Sequence, residues 1–265
     1  MKRFLPVLGA LVLASPALAA DERYRSYEAA PGLSGTVEIA AEPANARLLL
    51  LWREGFAARH PDLRIAPLVA QGPGILTARA AIEALAVFVH KDNPLSCLPL
   101  ENLAPLFAGD AAWGAVGLGG EWASRPVIVF DRPAGGERDF FVAAALKGGA
   151  IAPGAKTVAR ASALIREIGA AAGGIGYAPA GYRSDAVRAL RLSDGGECVG
   201  PSETSAHRAD WPLARVVRVS ARGPAARHAI DYVLSREGQR DAVIAGYFPL
   251  PYVFAEEDRK ALGLD

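Results

Sequence analysis

Residues 85–95 read LAVFVHKDNPL. The run 86–90, AVFVH, is short and apolar up to its last residue, which predicts a buried strand. Working outward, the same signal recurs. Upstream, GTVEIA (35–40) alternates like a strand. Residues 45–60 carry Leu48, Leu49, Trp52 and Phe56 at helical spacing, and 63–69 form a second short strand. His60-Pro61-Asp62 stops the helix, because proline disfavours helix in the residue before it. Gln71-Gly72-Pro73-Gly74 ends the strand with turn residues. Downstream, 100–107 reads as a short helix, PVIVF (126–130) as a buried strand, and 139–147 and 159–171 as helices. Ile175-Gly176-Tyr177 opens another strand-like stretch. Residues 216–219 form a strand, and 224–235 a helix with Ile230, Val233 and Leu234 on one face. Strands alternating with helices predict an α/β fold with mostly parallel sheets.

The 265 residues are 51% hydrophobic and 22% charged, a globular rather than a disordered composition. A formal net charge of +1 advertises neither nucleic acid nor an anionic membrane as partner. The arginines are scattered; Arg160, Arg166, Arg183, Arg188 and Arg191 read as solvating helix faces.

Lys2 and Arg3 precede an apolar stretch from Phe4 to Ala14, and Ala17-Leu18-Ala19 follows Ser15-Pro16. A basic start, a short apolar core and an A-x-A end make residues 1–19 a secretory signal peptide cleaved near Ala19. The core is too short to span a bilayer, and no later segment is long and apolar enough, so membrane insertion is not expected. Residues 20–33 are polar and small and read as a loose leader. Export places the two cysteines, Cys97 and Cys198, where disulfides persist. A bridge is the favoured reading, with two separate buried thiols as the alternative.

Residues 132–141, RPAGGERDFF, place two glycines before an apolar helix start. Free N–H groups and the positive end of the helix dipole there invite an anion. Glu137 lies inside that turn. It is either an acidic helix-start residue pointing to water, which the dipole favours, or a charge that opposes the anion. A unit charge about 4 Å from an anion costs roughly 4 kcal/mol at an effective dielectric near 20, close to a thousandfold in affinity.

Several stretches together resemble the phosphate-type periplasmic solute-binding proteins of ABC transporters. They are LAVFVHKDNPL (85–95), LENLAPLFAGDAAWG (100–114), GGIGY (173–177), WPLARVVRV (211–219) and SREGQRDAVIAGYFPLP (235–251). The resemblance implies a type II periplasmic-binding-protein-like fold of two α/β lobes joined by crossing strands. Lobe one would be 34–86 plus 216–265 and lobe two 87–215, with a small oxyanion such as phosphate held between them and ABC transporter membrane subunits as partners. It places the ligand loops at Ala41 and Glu42, at Gly72 and Gly74, and at Gly135, Gly136 and Glu137, with Arg132 or Arg138 supplying charge. The serine and threonine hydroxyls of the family pattern are replaced at these positions. The family also has a strand and a helix between its second loop and the crossing strand. Here Gly74 runs almost directly into Ala84, so lobe one is expected to be shortened and a strand edge to need covering.

Three functions follow as alternatives. One is a periplasmic binding protein for phosphate or a related oxyanion. Another is a non-binding accessory or protein-interaction module that kept the scaffold. Catalysis is disfavoured: His60, His90, His207 and His228 are isolated, and no H-E-x-x-H, G-x-S-x-G, G-x-G-x-x-G or Walker loop is present. The same inventory implies no cofactor and no metal site.

Overall fold

A computed structural model describes residues 22–42, 46–69 and 72–264. Residues 1–19, expected to be a signal peptide, lie outside the described residues. Strands β1 (Gly35–Glu42), β2 (Leu63–Pro67) and β3 (Leu76–His90) are followed by β4 (Cys97–Pro99), β5 (Ile128–Asp131), β6 (Lys156–Thr157) and β7 (Gly174–Pro179). Four more complete the set: β8 (Val187–Ala189), β9 (Arg191–Ser193), β10 (Ala214–Arg222) and β11 (Phe248–Pro249). The helices are α1 (Ala46–Ala57), α2 (Leu103–Phe107), α3 (Gly136–Ala145), α4 (Ala161–Gly169), α5 (Glu203–His207), α6 (Ala226–Leu234), α7 (Arg236–Ala245) and α8 (Tyr252–Leu262).

The main sheet runs β2-β1-β10-β3-β7-β5-β6, with β8 and β11 also on β3. Pairing is parallel within each half, in β1 with β2 and in β5 with β6 and β7. Every pair made by β3, and that of β1 with β10, is antiparallel. The sheet is therefore mixed, which corrects the expectation of mostly parallel pairing: β3 and β10 run between the halves in opposite directions.

Strand β3 decides the architecture. Its first part, Leu76 to Ala84, pairs with β10; from Leu85 onward it pairs with β7 and β8. Residues 80–89 are all buried, and the AVFVH run is the last third of one 15-residue strand. The absent strand–helix segment is thus bridged by extending the crossing strand backward to Leu76. The edge this leaves is covered. Phe248 and Pro249 pair with Ile82 and Ala81, and α8 lies alongside. Asp258 of α8 accepts from the Arg79 backbone N–H (2.6 Å) and from its guanidinium (2.7 Å). The Arg79 guanidinium also stacks 4.4 Å over Phe254. A charged edge residue, paired and covered, blocks further strand addition.

Helices α1, α6, α7 and α8 pack on the β1/β10 half, and α4 on the β5/β7 half. Buried indoles tie the layers: Trp52 donates to Gly238 O (2.9 Å), Trp211 to Leu85 O (2.8 Å) and Trp113 to Gly173 O (3.2 Å). The glycines of GGIGY are needed for close approach. A Cβ at Gly173 would lie 2.2 Å from Pro126 O, and one at Gly176 2.8 Å from Phe130 O. Residues 22–33 are not a loose leader. Tyr24 and Tyr27 are buried, Arg236 N donates to Arg25 O (2.9 Å), and the Tyr27 hydroxyl meets His60 Nε2 at 2.6 Å. Cys97 and Cys198 are bonded across 101 residues with Cα atoms 6.0 Å apart. In the chain-entropy account, closing such a loop stabilises by about 4–5 kcal/mol.

Candidate functional site

Strand β5 ends at Asp131, and the chain turns through 132–134 into α3. Gly135, the N-cap, has φ 136°, a conformation that strains any residue with a Cβ. It offers no side-chain cap, and among the described residues no group accepts from the first N–H groups of α3. Helix α4 begins the same way: its N-cap, Arg160, makes no side-chain cap bond. Between these two helix starts and the start of α1 lies a cavity of about 250 Å³ lined by Arg47, Arg132, Glu137, Arg160, Ser162 and Tyr182, among others. A neighbouring cavity of about 320 Å³ shares Arg47, Arg132 and Glu137 and adds Gly135 and Gly136. Three arginines from three elements face one glutamate, so the site is net cationic.

Arg132 is the centre of the arrangement. Its Nε donates to Glu137 Oε2 (3.0 Å), and its Nη1 donates to the carbonyls of Val158 (3.1 Å) and Ala159 (2.7 Å). Glu137 therefore neither points idly to water nor stands unpaired; it is the counter-ion of the arginine expected to meet a ligand. Arg138 is turned the other way. Its Nε donates to Asp131 Oδ2 (2.9 Å), and Asp131 Oδ1 accepts from the Tyr177 hydroxyl (2.6 Å) and the Arg132 backbone N–H (2.7 Å). Asp131 is buried, and its hydrogen bond raises the Arg138 pKa. Burial first, then Asp131, pushes the Tyr177 hydroxyl well above the ordinary range. Its ring stacks on Phe141 at 3.9 Å, fixing the base of the turn.

Two ties reach this wall from α1 and from β10. Arg47 of α1 donates to the Tyr182 hydroxyl (3.1 Å) and to Ile244 O (3.0 Å). Arg215 of β10 donates to Glu83 Oε2 (2.6 Å) and to Gly136 O (3.1 Å), with its guanidinium 4.1 Å over the Phe140 ring. Burial raises the Glu83 pKa, and Arg215 opposes that shift.

The site residues named from the sequence are thus divided. Arg132, Gly135, Gly136 and Glu137 come together. Arg138 lines neither cavity and is committed to Asp131. Ala41 is buried in β1, and Glu42, opposite Arg218 in register, lines a separate cavity with Thr77, Arg218 and Ser220. Gly72 stands beside Arg222, and Gly74 is a left-handed turn residue with open space around it; neither lines the cleft. Arg47, Ser162 and Tyr182 escaped the sequence reading, and Arg160, read there as a solvating charge, lines the cavity. Arg47 and the Arg160-Ala161-Ser162 triplet stand at the first turns of helices, and that position is the only signal in the chain that marks them. Among the described residues no group of three or more His, Cys, Asp or Glu could hold a metal ion.

The fold is the two-lobe type II periplasmic-binding-protein fold, with its cleft between helix starts. No protein-family model matches the chain. It is similar to the phosphate-binding protein PstS of Pseudomonas aeruginosa, 27% identical over an alignment 304 positions long, gaps included, that spans 95% of this chain and 94% of the relative. Among solved structures, it resembles a possible phosphate-binding protein from Planctomyces limnophilus (TM-score 0.66, 17% identity, 82% of this chain and 93% of that one). It also resembles an ABC-type phosphate transport receptor from Vibrio cholerae (TM-score 0.62, 17% identity, 77% and 95%). The likeness first read from five short blocks therefore extends over nearly the whole chain. These relatives are described as phosphate-binding proteins and as a phosphate transport receptor. Among the described residues no helix is long and apolar enough to cross a membrane.

Proposed function

We propose that this protein is a periplasmic solute-binding protein that takes phosphate or a closely related oxyanion and hands it to the membrane subunits of an ABC transporter. One observation carries the proposal: the uncapped starts of α3 and α4 converge with Arg47, Arg132 and Arg160 on a single cavity. Backbone N–H groups, helix dipoles and guanidinium forks are the chemistry that holds a tetrahedral anion. The Ser162 hydroxyl supplies one of the donors missing from the 135–137 turn. In this reading the entering anion displaces the Glu137 carboxylate from Arg132.

The lobes would be 34–86 with 216–265, and 87–215. The exchange of β3 partners between Ala84 and Leu85 supports that division. Export through residues 1–19 would place the protein in the periplasm, in keeping with the Cys97–Cys198 bond.

Titration calorimetry of the mature chain with phosphate and sulfate tests the proposal. Binding at or below millimolar concentration, with a raised melting temperature, is expected, because a ligand of the native state must stabilise it. Absence of heat and of any melting shift with both anions would reject it in favour of a non-binding accessory module, the reading to which the Arg132–Glu137 pair lends weight.

A further inference from the structure

The cleft cavity is not closed at its α4 end. It shares Ser162 and Tyr182 with a third cavity of about 400 Å³ that follows the flank of α4 to Arg166 and Arg183. With the cavity at the α3 turn, the three follow one another through shared lining residues and make up an open, interrupted trough. Five arginines line it, Arg47, Arg132, Arg160, Arg166 and Arg183, and its single acidic lining residue is Glu137. Glu167 and Asp185 are close in sequence but line none of the three.

Arg160, Arg166 and Arg183 are exposed at this surface and open to a ligand. Among the described residues, the side chains of Arg160 and Arg166 have no hydrogen-bonding or ionic partner. Arg183 is fixed at the rim by Nη1, which donates to Tyr182 O (2.8 Å) and to Ala180 O. Unpaired like charges along one concavity repel one another, and that repulsion is relieved when an anion lies among them. The length of the trough matters as much as its charge. Its central cavity alone, about 250 Å³, has the volume of roughly eight waters at about 30 Å³ each, more than one tetrahedral ion fills.

We infer that the trough takes a linear oligoanion, with a condensed phosphate as the simplest member. One anionic group sits in the cleft, and the next ones extend along α4 toward Arg166 and Arg183. This inference rests on the oxyanion-binding reading above and narrows its ligand class. Each guanidinium presents a planar fork that matches phosphate oxygens, so successive groups of one chain can be held in turn.

Calorimetry at fixed low ionic strength with orthophosphate, pyrophosphate and tripolyphosphate provides the test. Tripolyphosphate is expected to bind about tenfold tighter than orthophosphate, with pyrophosphate between them, and the advantage should shrink as salt screens the exposed arginines. The Arg166→Gln/Arg183→Gln double variant should reduce that advantage to about twofold and leave orthophosphate affinity unchanged. Arg166→Lys/Arg183→Lys, which keeps the charge, should retain most of it; matching melting temperatures show that all three proteins are folded. Equal or tighter binding of orthophosphate by the unaltered protein would overturn the inference while leaving the oxyanion reading intact. So would an advantage that survives the double glutamine variant. If no anion binds, both readings fall together.

Discussion

Helices α3 and α7 start alike and end up doing different work. Each has a glutamate at its second position, Glu137 and Glu237. In α7 the Ser235 side chain accepts from the Gly238 N–H (3.3 Å), and Glu237 accepts from the Tyr27 backbone N–H (2.8 Å). Glu237 is partly desolvated, but its backbone hydrogen bonds, that from Tyr27 largest, outweigh burial and lower its pKa. That helix start is sealed by the chain itself. In α3 a glycine stands at the cap, the first N–H groups are left for something else, and Glu137 is held by Arg132 at the wall of a cavity. An acidic residue in a first helical turn thus has no fixed meaning. What approaches the turn decides whether it is a structural cap or the counter-ion of a binding site.

Replacing groups on the two sides of this comparison should give effects of different kind and size. The largest is expected from Arg132→Gln, which removes the charged donor in the cleft. Phosphate affinity should drop about a hundredfold, close to 2.7 kcal/mol, in titration calorimetry. An unchanged affinity would show that the anion does not meet Arg132. Glu137→Ser should act in the opposite direction, tightening phosphate about tenfold. Arg132 already offsets part of the roughly 4 kcal/mol that an unpaired charge would cost at this range. Weaker binding in this variant would mean that Glu137 assists the ligand rather than competing with it.

On the α7 side, Ser235→Ala should lower stability by about 1 kcal/mol, or about 2–4 °C in melting temperature, with phosphate affinity unaltered. An effect on affinity would break the division between the two helix starts. The smallest effect concerns His60, which lies under the segment that Glu237 anchors. Burial, with His228 and Arg59 adding to it, holds the His60 pKa below 6.5. A neutral buried imidazole adds stability above pH 6.5 that is lost as pH falls through the lower folded value. Denaturant titrations at pH 7.5 and 5.5 should show a fraction of a kcal/mol lost on acidification. His60→Phe should remove that part of the slope, and an identical slope in both proteins would assign it to other groups.

The elements that were legible from the residues were those whose burial follows local periodicity. The GTVEIA strand, the helix carrying Leu48, Trp52 and Phe56, the AVFVH run and the 226–234 helix fall within a few residues of their expected places. The first two-thirds of β3 were not legible. Residues 76–85, LTARAAIEAL, are rich in alanine and carry Arg79 and Glu83, charges that argue against a central strand. Their partners, Asp258 and Arg215, are remote in sequence. Helix α8, which supplies Asp258, was missed as well. Of the site, the α3 turn was visible because its glycines mark it. Arg47 and Arg160 were not, since an arginine at a helix start looks like any solvated charge until another element is brought against it.

By itself the sequence determined an α/β chain and a glycine-marked helix start at 135–137, because composition and periodicity are properties of neighbouring residues. Only the tertiary structure decided that β3 runs unbroken through both halves, that Glu137 is claimed by Arg132, and that arginines from three separate elements share one cleft. Those outcomes depend on groups far apart in the chain, and no local pattern encodes the distance between them.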